Sequence, residues 1–201
     1  MKKTIAILLV LCSVFTVFAA KSSFAAGAHV GFSSAANNYT TVLGSISKTT
    51  KTTLSGFAFG FDGCASVGKT AQADFAVDVL LGNNVKVKIG DAEATTDKAS
   101  FTVIGIKGGA SYVAKLNKQA NFIVGGGVAL TIVTQEDSDD NNTSFGMYAK
   151  AAVEYAVDKN LKLTCGGDFV LNFTNSQKKI LEDDKISSNQ FGINAGVKYV
   201  F

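Results

Sequence analysis

The 201-residue chain has no proline, no tryptophan and no arginine, and only one histidine, His29. Average usage would place roughly ten prolines in such a chain, at about 5%. Their absence beside 20 glycines and 15 phenylalanines favours long, uninterrupted strands and excludes collagen-like and low-complexity readings. A lone histidine leaves no partners for a histidine-based metal cluster or a nucleophilic triad. No strong charge of either sign is present: 19 basic residues, all Lys, face 16 acidic ones. Lys2, Lys3 and Lys21 fall in a segment read below as removed, which leaves the mature chain neutral. Nucleic-acid binding needs clustered excess cation to displace counterions from phosphate, so that class is set aside.

The N-terminus has the layout of an export signal. Lys2 and Lys3 are followed by an apolar run from Ile5 to Phe18, and Ser23-Phe24-Ala25 supplies a small-x-small cleavage site. The expected division is a cleaved signal over residues 1–25 and one domain over 26–201, with cleavage after Ala19 or Ala20 as alternatives. The run contains Cys12, Ser13 and Thr16 and falls short of the roughly 20 apolar residues that span a bilayer. Leu11 before Cys12 lacks the small side chain of a lipoprotein site.

From Ala26 onward no 18-residue apolar run occurs, so no transmembrane helix is expected. Period-two alternation recurs eight times instead. Phe57, Phe59 and Phe61 alternate with Ala58 and Gly60, and Leu161, Leu163 and Cys165 alternate with Lys162 and Thr164. The connections fall into two kinds. Gly63 to Gly68, Lys115 to Gln119 and Asp158-Lys159-Asn160 are short. Asn37 to Thr52, Asp91 to Ser100, Gln135 to Asn142 and Asn175 to Asn189 are longer and polar. Short turns at one end and long loops at the other predict an all-β, eight-stranded antiparallel up-and-down transmembrane β-barrel, with both termini at the periplasmic, short-turn end.

The polar faces are rich in glycine and balanced in charge, which suits a crowded barrel interior where each ion needs a partner. Aromatic residues collect near the strand ends: Phe61, Tyr112, Phe122, Tyr155 and Tyr199 toward the short turns, Phe57, Phe145, Phe173 and Phe191 toward the long loops. That distribution predicts interfacial girdles. Alternation alone does not assign the faces, so a soluble periplasmic lipocalin-like barrel is the competing architecture.

The chain closes on Ala195-Gly196-Val197-Lys198-Tyr199-Val200-Phe201, with Phe201, Tyr199 and Val197 on alternate positions. This resembles the assembly signal of bacterial outer-membrane barrels, and the eight-strand pattern resembles the small OmpA-like and OmpX-like barrels across the whole mature region. The resemblance implies outer-membrane lipid as surroundings, with the barrel-assembly machinery and periplasmic chaperones as partners in biogenesis. The peptidoglycan-binding domain of the larger OmpA proteins has no counterpart before Phe201, so anchoring to the cell wall is not implied.

Pairing Val157 with Leu161 around the Asp158–Asn160 turn sets Lys150 directly across from Asp168 and Glu154 diagonal to Lys162. If strand three continues through Val85, Val87 and Ile89 with unchanged outward parity, a turn at Asp91 to Ala94 sets Asp78 opposite Lys107. These three interior ion pairs are expected to be structural. Parity places Cys165 outward and Cys64 on the other face, which argues against a disulfide.

Glu136 to Asn142 resembles the oxygen-rich start of a calcium loop but lacks the Gly and the closing Glu of one, so a solvated acidic loop is the reading preferred over a divalent-ion site. The loop around Lys178, Lys179, Glu182, Asp183, Asp184 and Lys185 mixes both signs and reads as a solvated face. No catalytic residue, cofactor or metal is expected, and no enzyme.

An eight-stranded lumen is just wide enough for its own side chains. The expected role is therefore structural or surface-interacting, with four exterior loops meeting an extracellular ligand that the residues do not name. The alternative is a narrow conduit for ions or small apolar molecules.

Overall fold

Alternating sequences become strands because an extended backbone sends successive side chains to opposite faces, and a chain without proline keeps its ladder donors. The computed structural model describes residues 23–43, 46–89, 92–96, 101–135, 142–175 and 185–201. Within them lie nine strands: β1 (Phe24–Leu43), β2 (Ile46–Ser66), β3 (Ala71–Ile89), β4 (Ala92–Thr96), β5 (Phe101–Lys115), β6 (Ala120–Gln135), β7 (Asn142–Ala156), β8 (Leu161–Asn175) and β9 (Lys185–Val200). All neighbours are antiparallel. β4 and β5 pair with successive parts of β3 and share one place in the wall, giving eight positions. β1 pairs with β2 on one side and β9 on the other, and β2 pairs with β3, which closes the sheet into a barrel.

The faces settle the choice between membrane and soluble barrels. Val30, Phe32, Phe59, Val128, Met147, Leu163, Phe169, Ile193 and many others are exposed around the outer wall. Asp74, Lys107, Glu154 and Lys198 are buried inside. A continuous apolar belt of this extent far exceeds the patches that soluble monomers expose. The lipocalin-like arrangement, apolar inside and charged outside, is reversed here. Tyr112, Tyr155, Tyr199 and Phe61 ring the short-turn end of the belt, and Phe57, Phe145, Phe173 and Phe191 ring the other.

Several connections differ from expectation. The first polar segment, Asn37 to Thr52, is mostly strand: β1 and β2 stay in register from Phe24–Ala65 to Leu43–Ile46. Beyond Phe32 the outward positions become small or polar, and 11 residues of tilted strand carry this hairpin about 25 Å past the belt. The turn expected at Asp91 to Ala94 is tighter, because Ile89 already pairs with Ala92. Glu136 to Asn141 and residues 178–184 lie outside the described residues.

Strand three does not keep its parity. Between Leu81 and Asn84, β3 holds one residue more than β2 does between Phe57 and Ser55. Such a bulge reverses the faces beyond it. Val85 therefore turns inward and packs with Leu54, Ala58 and Val133 against buried Leu80, Phe101 and Val103. This cluster fills one side of the lumen toward the loop end.

The barrel also begins earlier than residue 26. Phe24 and Ala25 belong to β1, with Ala25 paired to Cys64 and to Val200 across the closing seam.

Candidate functional site: the charged lumen

Inward-facing residues in the short-turn half of the barrel form one chain of contacts. The Lys107 ammonium on β5 contacts Asp78 on β3 at 2.8 Å and also pairs with Asp168 on β8, across the lumen. The other oxygen of Asp78 lies 2.7 Å from His29 Nε2. His29 Nδ1 lies 3.4 Å from Asp62, and Asp62 accepts Lys198 at 2.8 Å. Lys198 then meets Glu154 at 3.1 Å, and Glu154 meets Lys162 at 3.1 Å. Beside this chain, Asp74 takes Lys150 at 3.0 Å, Gln72 at 2.8 Å and the Ser111 hydroxyl.

Five carboxylates thus face four lysines and His29. Burial of this depth is tolerable only with such partners, because an isolated ion in a dry interior would be prohibitively costly. Among the described residues, no group of three or more His, Cys, Asp or Glu converges as a metal site.

The expected pairs fare differently. Glu154 and Lys162 come together. Asp78 and Lys107 also come together, but not from opposite positions: Lys107 stands across from Ala76, and Asp78 across from Gly105. The tighter β3–β4 turn moves that register, and the long lysine stem makes up the offset. Lys150 stands directly across from Asp168, yet the two do not pair. Lys150 reaches over the lumen to Asp74 and leaves Asp168 to Lys107.

His29 is the participant that sequence reasoning did not place here. Its register partner is Gly60, where an added Cβ would fall 2.7 Å from both His29 Nε2 and Asp78 Oδ1. A glycine facing a solitary inward histidine was the available signal. The two cysteines are free, Cys64 buried and Cys165 exposed on the outer wall.

Small residues make room on the opposite side. Gly109, Gly127 and Tyr148 stand in one row across β5, β6 and β7, so the buried Tyr148 has two neighbours without side chains. Among the described residues, a cavity of about 80 Å³ is lined by His29, Asp62, Asp78, Lys107, Tyr148 and Asp168 among others, with room for a few waters. Toward the loop end, the buried amide oxygens Asn172 Oδ1 and Gln190 Oε1 have no hydrogen-bond partner.

At the C-terminus, Val197, Tyr199 and Phe201 are exposed on the outer side, and the Tyr199 and Phe201 rings meet edge to face at 5.1 Å.

No family model matches the sequence, and no curated protein matches it. Solved structures do. The outer membrane protein OprG from Pseudomonas aeruginosa is 12% identical with a TM-score of 0.61, over 90% of this chain and 97% of its own. Neisserial surface protein A is 20% identical with a TM-score of 0.52, over 87% and 97%. The outer membrane protein AlkL, solved in lipid bilayers, is 14% identical with a TM-score of 0.52, over 90% of both chains. Together with the closed antiparallel wall and its apolar exterior, these likenesses give the chain the fold of the small eight-stranded outer-membrane β-barrels.

Proposed function

We propose that the protein is a non-enzymatic barrel of the bacterial outer membrane, with both termini in the periplasm, and that it serves as a rigid, non-conducting scaffold for recognition at the cell surface. The observation that carries this reading is the lumen. A conduit needs a connected path, whereas here an ion chain from Asp168 to Lys162 crosses the short-turn half. The apolar cluster of Leu80, Phe101 and Val103 occupies part of the other half. The charged groups answer one another, and the Ser111 hydroxyl beside Asp74 is buried in the same network.

Orientation follows the rule for such barrels, short turns inside and long connections outside. The β1–β2 hairpin then projects from the cell. Its rungs are cross-linked by Thr40 to Thr49 at 3.0 Å, with Asn38 reaching Ser187 on β9 at 3.4 Å. Loops and hairpins on a rigid frame are where binding is commonly placed. The alternating Val197, Tyr199 and Phe201 support handling of the last strand by the barrel-assembly machinery after periplasmic chaperoning.

Planar-bilayer recording on the refolded protein tests the reading. Electrical silence is expected. Steady single-channel steps that change in Lys107→Met would replace the scaffold with the conduit for ions or small apolar molecules.

A further inference from the structure

The seam where β1 meets β9 is fastened by residues that the Ser23-Phe24-Ala25 cleavage motif would remove. The Phe24 carbonyl accepts the amide of Phe201, the last residue, at 2.9 Å. The two rings lie 5.8 Å apart, so the aromatic side chains at both ends of the barrel pack together. Ser23 continues the clasp on the opposite side: its carbonyl accepts the Ser66 amide at 3.0 Å, and its hydroxyl meets the Ser66 hydroxyl at 2.9 Å. Ala25 is 5% exposed, enclosed by its strand partners Cys64 and Val200.

Hydrolysis after Ala25 would strip Ser23, Phe24 and Ala25 from the chain. The Ser66 and Phe201 amides would lose their acceptors, and the new ammonium of Ala26 would sit in the closing seam. The two hydrogen bonds and the ring contact that fasten the last residue and the β2 end would go with those residues.

From this geometry we infer that the processing site lies upstream of Ser23, at the Ala19–Ala20 or Ala20–Lys21 bond, and that Ser23 to Ala25 are retained as a clasp that seats the C-terminal residue. Both bonds follow a small residue directly after the apolar run, with Val17 or Phe18 where the Ser23-Phe24-Ala25 motif has a small residue. A signal peptidase would cleave one of them with water, leaving a carboxylate on the released signal and an ammonium on Ala20 or Lys21. Cleavage at either bond also keeps Lys21, so the mature chain carries one more cation than cleavage after Ala25 would leave.

The inference rests on export of the chain as proposed above. The intact mass of the full protein extracted from outer membranes tests it and separates the two. A chain beginning at Ala20 or Lys21 is expected. A chain beginning at Ala26 overturns the retained clasp while leaving export intact. A chain beginning at Met1 overturns both.

Discussion

Lys107 reaches across the lumen from β5 to Asp168 on β8, three strand positions around the wall, and holds Asp78 at the same time. One ammonium therefore compensates two buried carboxylates. Removing one partner of a buried ion set typically costs about 3–5 kcal/mol, because the charge left behind is still dry. Lys107→Met should lower the unfolding free energy of the refolded barrel by that amount, read as a lower urea midpoint at unchanged slope. Lys107→Met with Asp168→Asn should recover part of the loss. Equal midpoints for the single variant and the parent would show that the contacts contribute nothing.

Glycine identity should matter at one position and not at its neighbour. A Cβ at Gly109 would fall 2.2 Å from the backbone oxygen of Gly126, whereas one at Gly108 meets nothing within 4 Å. Backbone in a closed ladder cannot withdraw as a side-chain tip can. Gly109→Ala should destabilise by about 1–3 kcal/mol, the usual range for overpacking, with Gly108→Ala close to neutral. The temperature at which the folded band converts to the unfolded band on a gel reports the difference.

The two thiols stand on opposite sides of the wall. In vesicles, Cys165 should react with a membrane-soluble maleimide and be shielded from a charged one. Cys64 should resist both until the barrel is unfolded. Modification of folded Cys64 before Cys165 would invert the assignment of faces.

The Asp158 carboxylate organises the β7–β8 turn by accepting the amides of Asn160 at 2.7 Å and Leu161 at 2.8 Å. These two hydrogen bonds favour the ionised form and hold its pKa below the usual aspartate value. A depressed folded-state pKa contributes stability that is present above the ordinary aspartate range and fades as pH falls through the folded value. The unfolding temperatures of the parent and Asp158→Ala should therefore differ most at neutral pH and converge in acid. A gap that persists unchanged at pH 2 would refute this account of the turn.

The barrel itself was legible because one face of each strand had to meet lipid, and that demand writes itself as strict alternation, as in Phe57, Phe59 and Phe61. Register was legible where a connection is short: Asp158-Lys159-Asn160 leaves little choice, and Lys150 indeed stands across from Asp168. It was not legible across the longer connection from β3 to β5. Val77, Val79 and Leu81 before the bulge and Val85, Val87 and Ile89 after it keep one apolar spacing, and an apolar residue is acceptable both in the lumen and in the belt. Pattern cannot detect a reversal that both faces tolerate. Side-chain reach was the other hidden quantity. A lysine stem lets Lys150 bypass its register partner for Asp74, and a choice among nearby carboxylates in three dimensions leaves no trace in spacing.

The contacts from Asp168 to Lys162 draw on every wall strand except β4 and β6, and one of them, Lys198 to Asp62, spans the seam. Lys198 on β9 reaches Asp62 on β2, passing over β1 to do so. An open sheet therefore cannot neutralise itself: until the last strand arrives beside the first, Asp62 lacks its lysine. Such an intermediate presents unmatched charge to lipid at the steep cost that ions incur there. Closing the seam and compensating Asp62 are thus one event, which ties the charge balance of the interior to completion of the wall.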